Sequence, residues 1–167
     1  GRPKPRMDED AFSLTDSVAL VTGASRVIGE AIAVAFGRAG AAVVPVARST
    51  DALEDTAERI REAGGEAVPV PADVTDGDEI RAAFDTAEAE LGPIDRLVNN
   101  AGINPYFGNT GDLDVETWEE IFAVNATGTF RCTREFGRRV HERDGSGAVV
   151  NVGSVGSLRG LPYQAPY

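Results

Sequence analysis

Val18-Ala19-Leu20-Val21-Thr22-Gly23-Ala24-Ser25-Arg26-Val27-Ile28-Gly29 is the stretch that decides the fold. Its first four residues form a continuous apolar run, short enough to be a strand buried on both faces. Gly23 interrupts the run, and from Ile28 onward Ile32, Ala35, Phe36 and Ala39 recur at helical spacing until Gly40 stops them. A strand that passes through a glycine-bearing turn into a helix brings backbone N–H groups and the helix N-terminus to one point. An anionic group such as a pyrophosphate fits that point. Glycine loops are weak signals alone; a strand before and a helix after give this one its weight.

The alternation continues outward. Val43-Val44-Pro45-Val46 is the second predicted strand, with Pro45 an objection because proline cannot donate to a sheet ladder. Asp51 is the expected cap of a helix that buries Leu53, Ala57 and Ile60 and ends at Gly64-Gly65. Ala67-Val68-Pro69-Val70 reads as the third strand. Ile80, Ala83, Phe84, Ala87 and Leu91 mark a helix ended by Gly92-Pro93. Ile94 to Val98 reads as the fourth strand, 103–113 as a loop, and Ala148 to Val152 as the fifth strand. Between the last two lie a helix from about Val115 and a longer one to about Arg143. Apolar strands alternating with helices make a parallel sheet covered on both faces. The expected fold class is therefore α/β, a doubly wound parallel sheet of Rossmann type.

Composition narrows the function classes. The 167 residues suit one domain, and 42% hydrophobic residues favour a folded core over disorder. No run approaches the length of a membrane span, and Gly1 to Asp10 lacks the apolar core of a signal peptide. Cys132 is alone, which fits a reducing cytoplasm. The formal charge of −11 argues against nucleic-acid and anionic-membrane partners, which need clustered positive charge. Lys4 is the only lysine against 15 arginines. An acidic, lysine-poor surface suits high salt, and a GC-rich genome yields the same bias. Trp118 and Phe122, at helical spacing, are expected in the core; His141 in a solvated helix end; Cys132 as a buried residue with no nucleophilic role. No cluster of metal ligands is visible.

With these segments placed, the loop resembles the Thr-Gly-x-x-x-Gly-x-Gly fingerprint of the short-chain dehydrogenase/reductase family. Gly23, Ser25, Arg26, Ile28 and Gly29 are its expected cofactor contacts. It departs at one position, where Val27 stands for the family's middle glycine. That glycine lets the backbone approach the phosphates. A β-branched residue crowds the site, and a positive φ there adds roughly 1–3 kcal/mol of strain. NAD-preferring dinucleotide folds carry an acidic residue about 20 positions past the loop. Here that position is Ala47, followed by Arg48, whose guanidinium suits a 2′-phosphate, with Arg26 a second cation. The resemblance therefore implies NADP rather than NAD.

Further segments match the family in order. Asp73-Val74 resembles the pair that contacts adenine. Asn99-Asn100-Ala101-Gly102 resembles the motif that shapes the cofactor cleft through Asn100, Ala101 and Gly102. Asn125 resembles the helix asparagine that holds a water in a proton relay. Ser154 and Tyr167, 13 positions apart, match the catalytic serine and tyrosine, while Tyr163 has the wrong spacing. The family also uses a lysine four residues after the tyrosine, past the last residue of this sequence.

The resemblance implies a hydride-transferring oxidoreductase acting on a small-molecule carbonyl or alcohol substrate, such as a 3-oxoacyl reductase. Ser154 would polarise the substrate oxygen, and Tyr167 would exchange its proton. Residues 1–16 read as an N-terminal tail, with Gly1 to Arg6 a cloning remnant or upstream read-through and Met7 the natural start. Residues 17–167 read as an incomplete NAD(P)-binding domain. Family members run to about 250 residues, so the C-terminal strands and helices, the substrate loop and the interfaces of a dimer or tetramer are expected beyond Tyr167. This stretch alone is expected to be inactive. The alternatives are a catalytically inactive nucleotide-binding sensor, suggested by Val27, and a non-catalytic fragment acting through a partner.

Overall fold

The computed structural model describes residues 12–167. Most of the predicted tail, and the expected start at Met7, lie outside the described residues. The chain runs β1 (Val18–Thr22), α1 (Val27–Arg38), β2 (Ala42–Ala47), α2 (Thr50–Glu62), β3 (Glu66–Ala67), β4 (Val70–Pro71), α3 (Gly77–Leu91) and β5 (Arg96–Asn99). A helical run follows: α4 (Val115–Phe122), a π-helical segment (Ala123–Gly128) and α5 (Thr129–Glu142), before β6 (Ala148–Asn151). Every strand pairing is parallel, in the order β3-β2-β1-β5-β6, with β4 also on β2. The fold is the expected doubly wound α/β sheet.

Alternation along the strands divides the core into two layers. Val18, Leu20, Val44, Val46 and Leu97 face α3 and α5, meeting Ile80, Phe84, Cys132 and Phe136. Ala19, Val21, Val43 and Val98 face α1 and α2, meeting Ala33, Leu53, Ala57 and Ile60. Burying a side chain the size of Leu20 or Phe84 contributes roughly 1.5–3 kcal/mol. Outside the strands, the Leu14 N–H donates to the Ala39 carbonyl, and Leu14 packs on the α1–α2 layer. No helix among the described residues is long and apolar enough to cross a membrane.

Several local expectations need correction. Pro45 lies in a paired strand without losing a ladder bond. The Val43 and Ala47 carbonyls accept from Val68 and Ala72, so Pro45, between them in register, faces the break between β3 and β4. That break splits the single third strand predicted over 67–70. Ser49, not Asp51, is the N-cap of α2; Asp51 sits in its first turn, where a carboxylate favours the helix dipole. The buried face of α1 is Gly29, Ala33 and Gly37, while Ile28 is exposed. The helices themselves decide this: a methyl on Gly37 would lie 2.6 Å from Ile60 Cγ2, so only small residues allow α1 to approach α2. Trp118 and Phe122 are not core residues; each is 41% exposed, and they stack on one another at 4.4 Å.

The sheet order positions the site. From β1 the chain builds outward through β2 to β3 and β4, then returns to place β5 on the other side of β1. The order reverses there, and the ends of β1 and β5 open a crevice of the kind that takes ligands in such sheets.

Candidate active site

Four polar bonds lock that crevice. The Thr22 hydroxyl, at the end of β1, accepts from the Asn100 and Ala101 N–H groups at 3.0 and 3.1 Å. The Asn100 carboxamide returns two bonds, donating to the Thr22 and Gly23 carbonyls at 3.1 Å each. Behind the loop, Ala24 is fully buried; its N–H donates to Val46, and its carbonyl accepts from the Thr56 hydroxyl at 3.0 Å. The glycines have steric reasons. Gly23 has φ 64°, and a methyl on Gly29 would fall 2.2 Å from the Gly23 carbonyl oxygen. Helix α1 therefore starts hard against the end of β1. No side chain caps that start, so its leading N–H groups are left for solvent or an anion.

A cleft of about 980 Å³ opens over this junction, near the upper end of small-molecule sites. Every cofactor and catalytic candidate named from sequence lines it: Gly23, Ser25, Arg26, Ile28 and Gly29 from the loop, Arg48 after β2, Asp73 and Val74 after β4, Asn100, Ala101 and Gly102 after β5, Asn125, Ser154 and Tyr167. Arg48 is 74% exposed and lies 3.9 Å from Asp73, a loose pair that contributes little by itself. Asp73 is held by its Oδ1, which accepts from the Thr75 N–H and hydroxyl at 2.8 and 2.7 Å. Arg131 of α5 ties the same turn by donating to the Thr75 carbonyl at 2.5 Å. Gly128 lets the π segment close on it, since a methyl there would meet Val74 Cγ2 at 2.8 Å.

Asn125 lies in the π segment, not in regular α-helix. Widened turns of this kind occur often at functional sites. Its carboxamide spans Ile103, accepting from its N–H at 2.8 Å and donating to its carbonyl at 2.9 Å. That clamp fixes the loop following Gly102. Ser154 and Tyr167 flank Gly156. A methyl there would lie 3.6 Å from Ser154 Oγ and 3.6 Å from Tyr167 Cδ1, and the Gly156 N–H donates to Ser154 at 3.2 Å. Tyr167 is 45% exposed, so its ring edges the cleft. Facing this end, the loop after β5 is tied to 161–167 by Asn104–Gln164, by the Gly108 N–H to the Tyr163 carbonyl, and by the Phe107 and Tyr163 rings.

Sequence reasoning missed the scaffolding. Thr56 is 1% exposed on the buried face of α2, and a lone hydroxyl between Leu53 and Ala57 was the available signal. Ile103 had none, because it acts through its backbone. Cys132 is fully buried, and desolvation pushes its thiol up to about 12, which excludes a thiolate nucleophile near neutral pH.

The residues fit a dinucleotide on their own chemistry: uncapped N–H groups for phosphate, two arginines at the mouth, and a slot beside Ala72 and Val74. Comparison with known proteins agrees. The model of the short chain dehydrogenase family matches residues 17–167. The chain is 38% identical over 159 residues to a versicolorin reductase of Emericella nidulans, covering 95% of this chain and 59% of that one. It is 38% identical over 161 residues to a 3-oxoacyl-[acyl-carrier-protein] reductase of Synechocystis, covering 93% and 62%. Among solved structures, a variant of actinorhodin polyketide ketoreductase with NADPH matches with TM-score 0.86 and 38% identity, over 97% of this chain and 60% of that chain. An NAD+-bound xylitol dehydrogenase matches with TM-score 0.88 and 31% identity, over 92% and 58%. The chain thus spans about three fifths of the length of these curated relatives. With the family fingerprint matched from β1 to Tyr167 and the same fold around it, this chain belongs to the short chain dehydrogenase family.

Proposed function

We propose that the cleft binds NADP(H) and that the protein transfers a hydride between this cofactor and a carbonyl or alcohol substrate of the 3-oxoacyl or related ketone class. One observation carries this reading. Ser154 and Tyr167 meet the glycine loop and the Asn100–Gly102 turn around a single cleft at the point where the sheet order reverses. When bound, the nicotinamide supplies the hydride.

The residues do the rest. The N–H groups at the start of α1 hold the pyrophosphate, and Arg48 with Arg26 neutralises a 2′-phosphate. Asp73 and Val74 take the adenine end. Asn100, through its clasp on Thr22 and Gly23, keeps the floor rigid. Hydride transfer to a carbonyl leaves charge on its oxygen, so a donor must stand beside it. Ser154 orients and polarises that oxygen, and the Tyr167 hydroxyl gives it a proton or takes one in reverse. A phenol ionises near pH 10 and needs adjacent positive charge to do so near neutrality. Asn125 holds the wall opposite by gripping Ile103, and its turn in the π segment suits a water relay.

The ketoreductase relatives support the substrate class, and the NADPH in the actinorhodin enzyme supports the cofactor. Homo-oligomerisation is the partner reading: Val115, Trp118, Phe122 and Phe130 are exposed apolar side chains along the helical run, of the kind found at protein–protein contacts. A cytoplasmic site belongs to the same proposal.

The test is Tyr167→Phe in the full chain, assayed by NADPH oxidation against a panel of ketones and 3-oxoacyl thioesters. The expected outcome is a fall in kcat of about 100-fold or more with NADPH affinity retained, the size of a lost general acid. Undiminished kcat would remove Tyr167 from the chemistry.

A further inference from the structure

Val27 is the one loop residue that departs from the family fingerprint, and the structure shows what the departure entails. Its φ is 48°, in the left-handed region that β-branched residues avoid. The residue before it, Arg26, is extended at φ −168°, and α1 begins at Val27. The valine side chain is 76% exposed and lines the cleft, so no packing of its own holds this conformation. Its neighbours impose it. Gly29 is pressed against the Gly23 carbonyl, and the Asn100 carboxamide pins Thr22 and Gly23 from the other side. Strained backbone persists where its surroundings over-determine it.

We propose that Val27 is an affinity-setting residue that loosens this protein's hold on its dinucleotide. The inference rests on the reading of the cleft as a dinucleotide site. Its isopropyl group stands at the start of α1, among the N–H groups available to phosphate, where glycine would leave open space. It blocks close approach of an anion to that backbone, and its left-handed conformation stores strain in the free protein as well. The two effects are separable. The first acts only on binding; the second acts without any ligand.

Three variants of the full chain distinguish them: Val27→Gly, Val27→Ala and Val27→Asn. Each is measured by thermal melting without ligand and by calorimetric titration with NADPH. Glycine removes both strain and bulk, and is expected to raise Tm and tighten the Kd for NADPH about tenfold. Alanine keeps a left-handed penalty but removes most of the bulk, so it tightens binding with little gain in Tm. Asparagine tolerates the left-handed region and keeps the bulk, so it raises Tm and leaves Kd near that of the parent. Equal Kd values for parent and Val27→Gly would overturn the proposal and leave the dinucleotide reading standing. No binding of NADPH or NADH by either protein would overturn both. An unchanged Tm in Val27→Gly would refute the stored strain even if affinity rose.

Discussion

The proposed preference for NADPH rests on Arg48. It follows Ala47, which stands where an NAD-preferring fold carries a ribose-binding carboxylate, and it leans on Asp73 through a loose exposed pair. A phosphate dianion is a stronger partner than that distant carboxylate, because charge-assisted bonds at short range contribute roughly 1.5–3 kcal/mol. Arg48→Ala is therefore expected to weaken NADPH binding by roughly ten- to a hundredfold while leaving NADH binding within about twofold. Titrating the variant with both cofactors checks this; an unchanged ratio would assign Arg48 to the solvated surface. Motif order names residues of this kind in the sequence, and the structure gathers them around one cleft. Val27 was legible as an exception, and its positive φ matches the strain expected if the backbone there had to be left-handed. What the sequence hid were partners that act through backbone. Asn125 was singled out, but its grip on Ile103 joins positions 22 apart in sequence and follows from no local pattern.

At the scale of elements, α5 is fastened to α3 by an arginine with little solvent contact. The Arg139 side chain is 10% exposed and bonds Asp85, Glu88 and Glu135 at 2.5, 2.7 and 2.7 Å. Its guanidinium also lies 5.4 Å from the Phe84 ring centre. Burial opposes its charge, and the three carboxylates more than offset that. Among the carboxylates around Arg139, Glu135 is held below its ordinary range. The Arg138 hydrogen bond, resisted by burial and joined by Arg139, lowers its carboxyl from the ordinary 4.5 to about 2. A depressed folded-state value contributes stability that is complete above about pH 5 and is lost as pH falls toward 2. Glu135→Gln should cost about 1–2 kcal/mol at pH 7 and flatten the acid limb of a Tm–pH profile between pH 5 and 2. An acid limb identical to that of the parent would place the dependence elsewhere. The existence of α3 and α5 was readable from spacing. The π segment between α4 and α5 was not, because six residues are too few for a changed period to show. Trp118 was misplaced for a related reason: helical spacing marks a face, and only the fold says whether that face is covered.

For the molecule as a whole, strand–helix alternation predicted a parallel sheet, and composition agreed. The order β3-β2-β1-β5-β6 did not follow from the sequence, since local pattern does not say on which side of β1 the chain returns. That return makes the crevice, and the crevice is what brings positions from Gly23 to Tyr167 around one cavity. For a chain of formal charge −11, the proposed hold on a polyanion rests on local features: uncapped N–H groups and two arginines at one mouth. The most direct test of this account is calorimetric titration of the full chain with NADPH. A single saturable site per chain is expected, displaced by NADP+ and tighter for NADPH than for NADH. No saturable heat up to millimolar NADPH and NADH would contradict it.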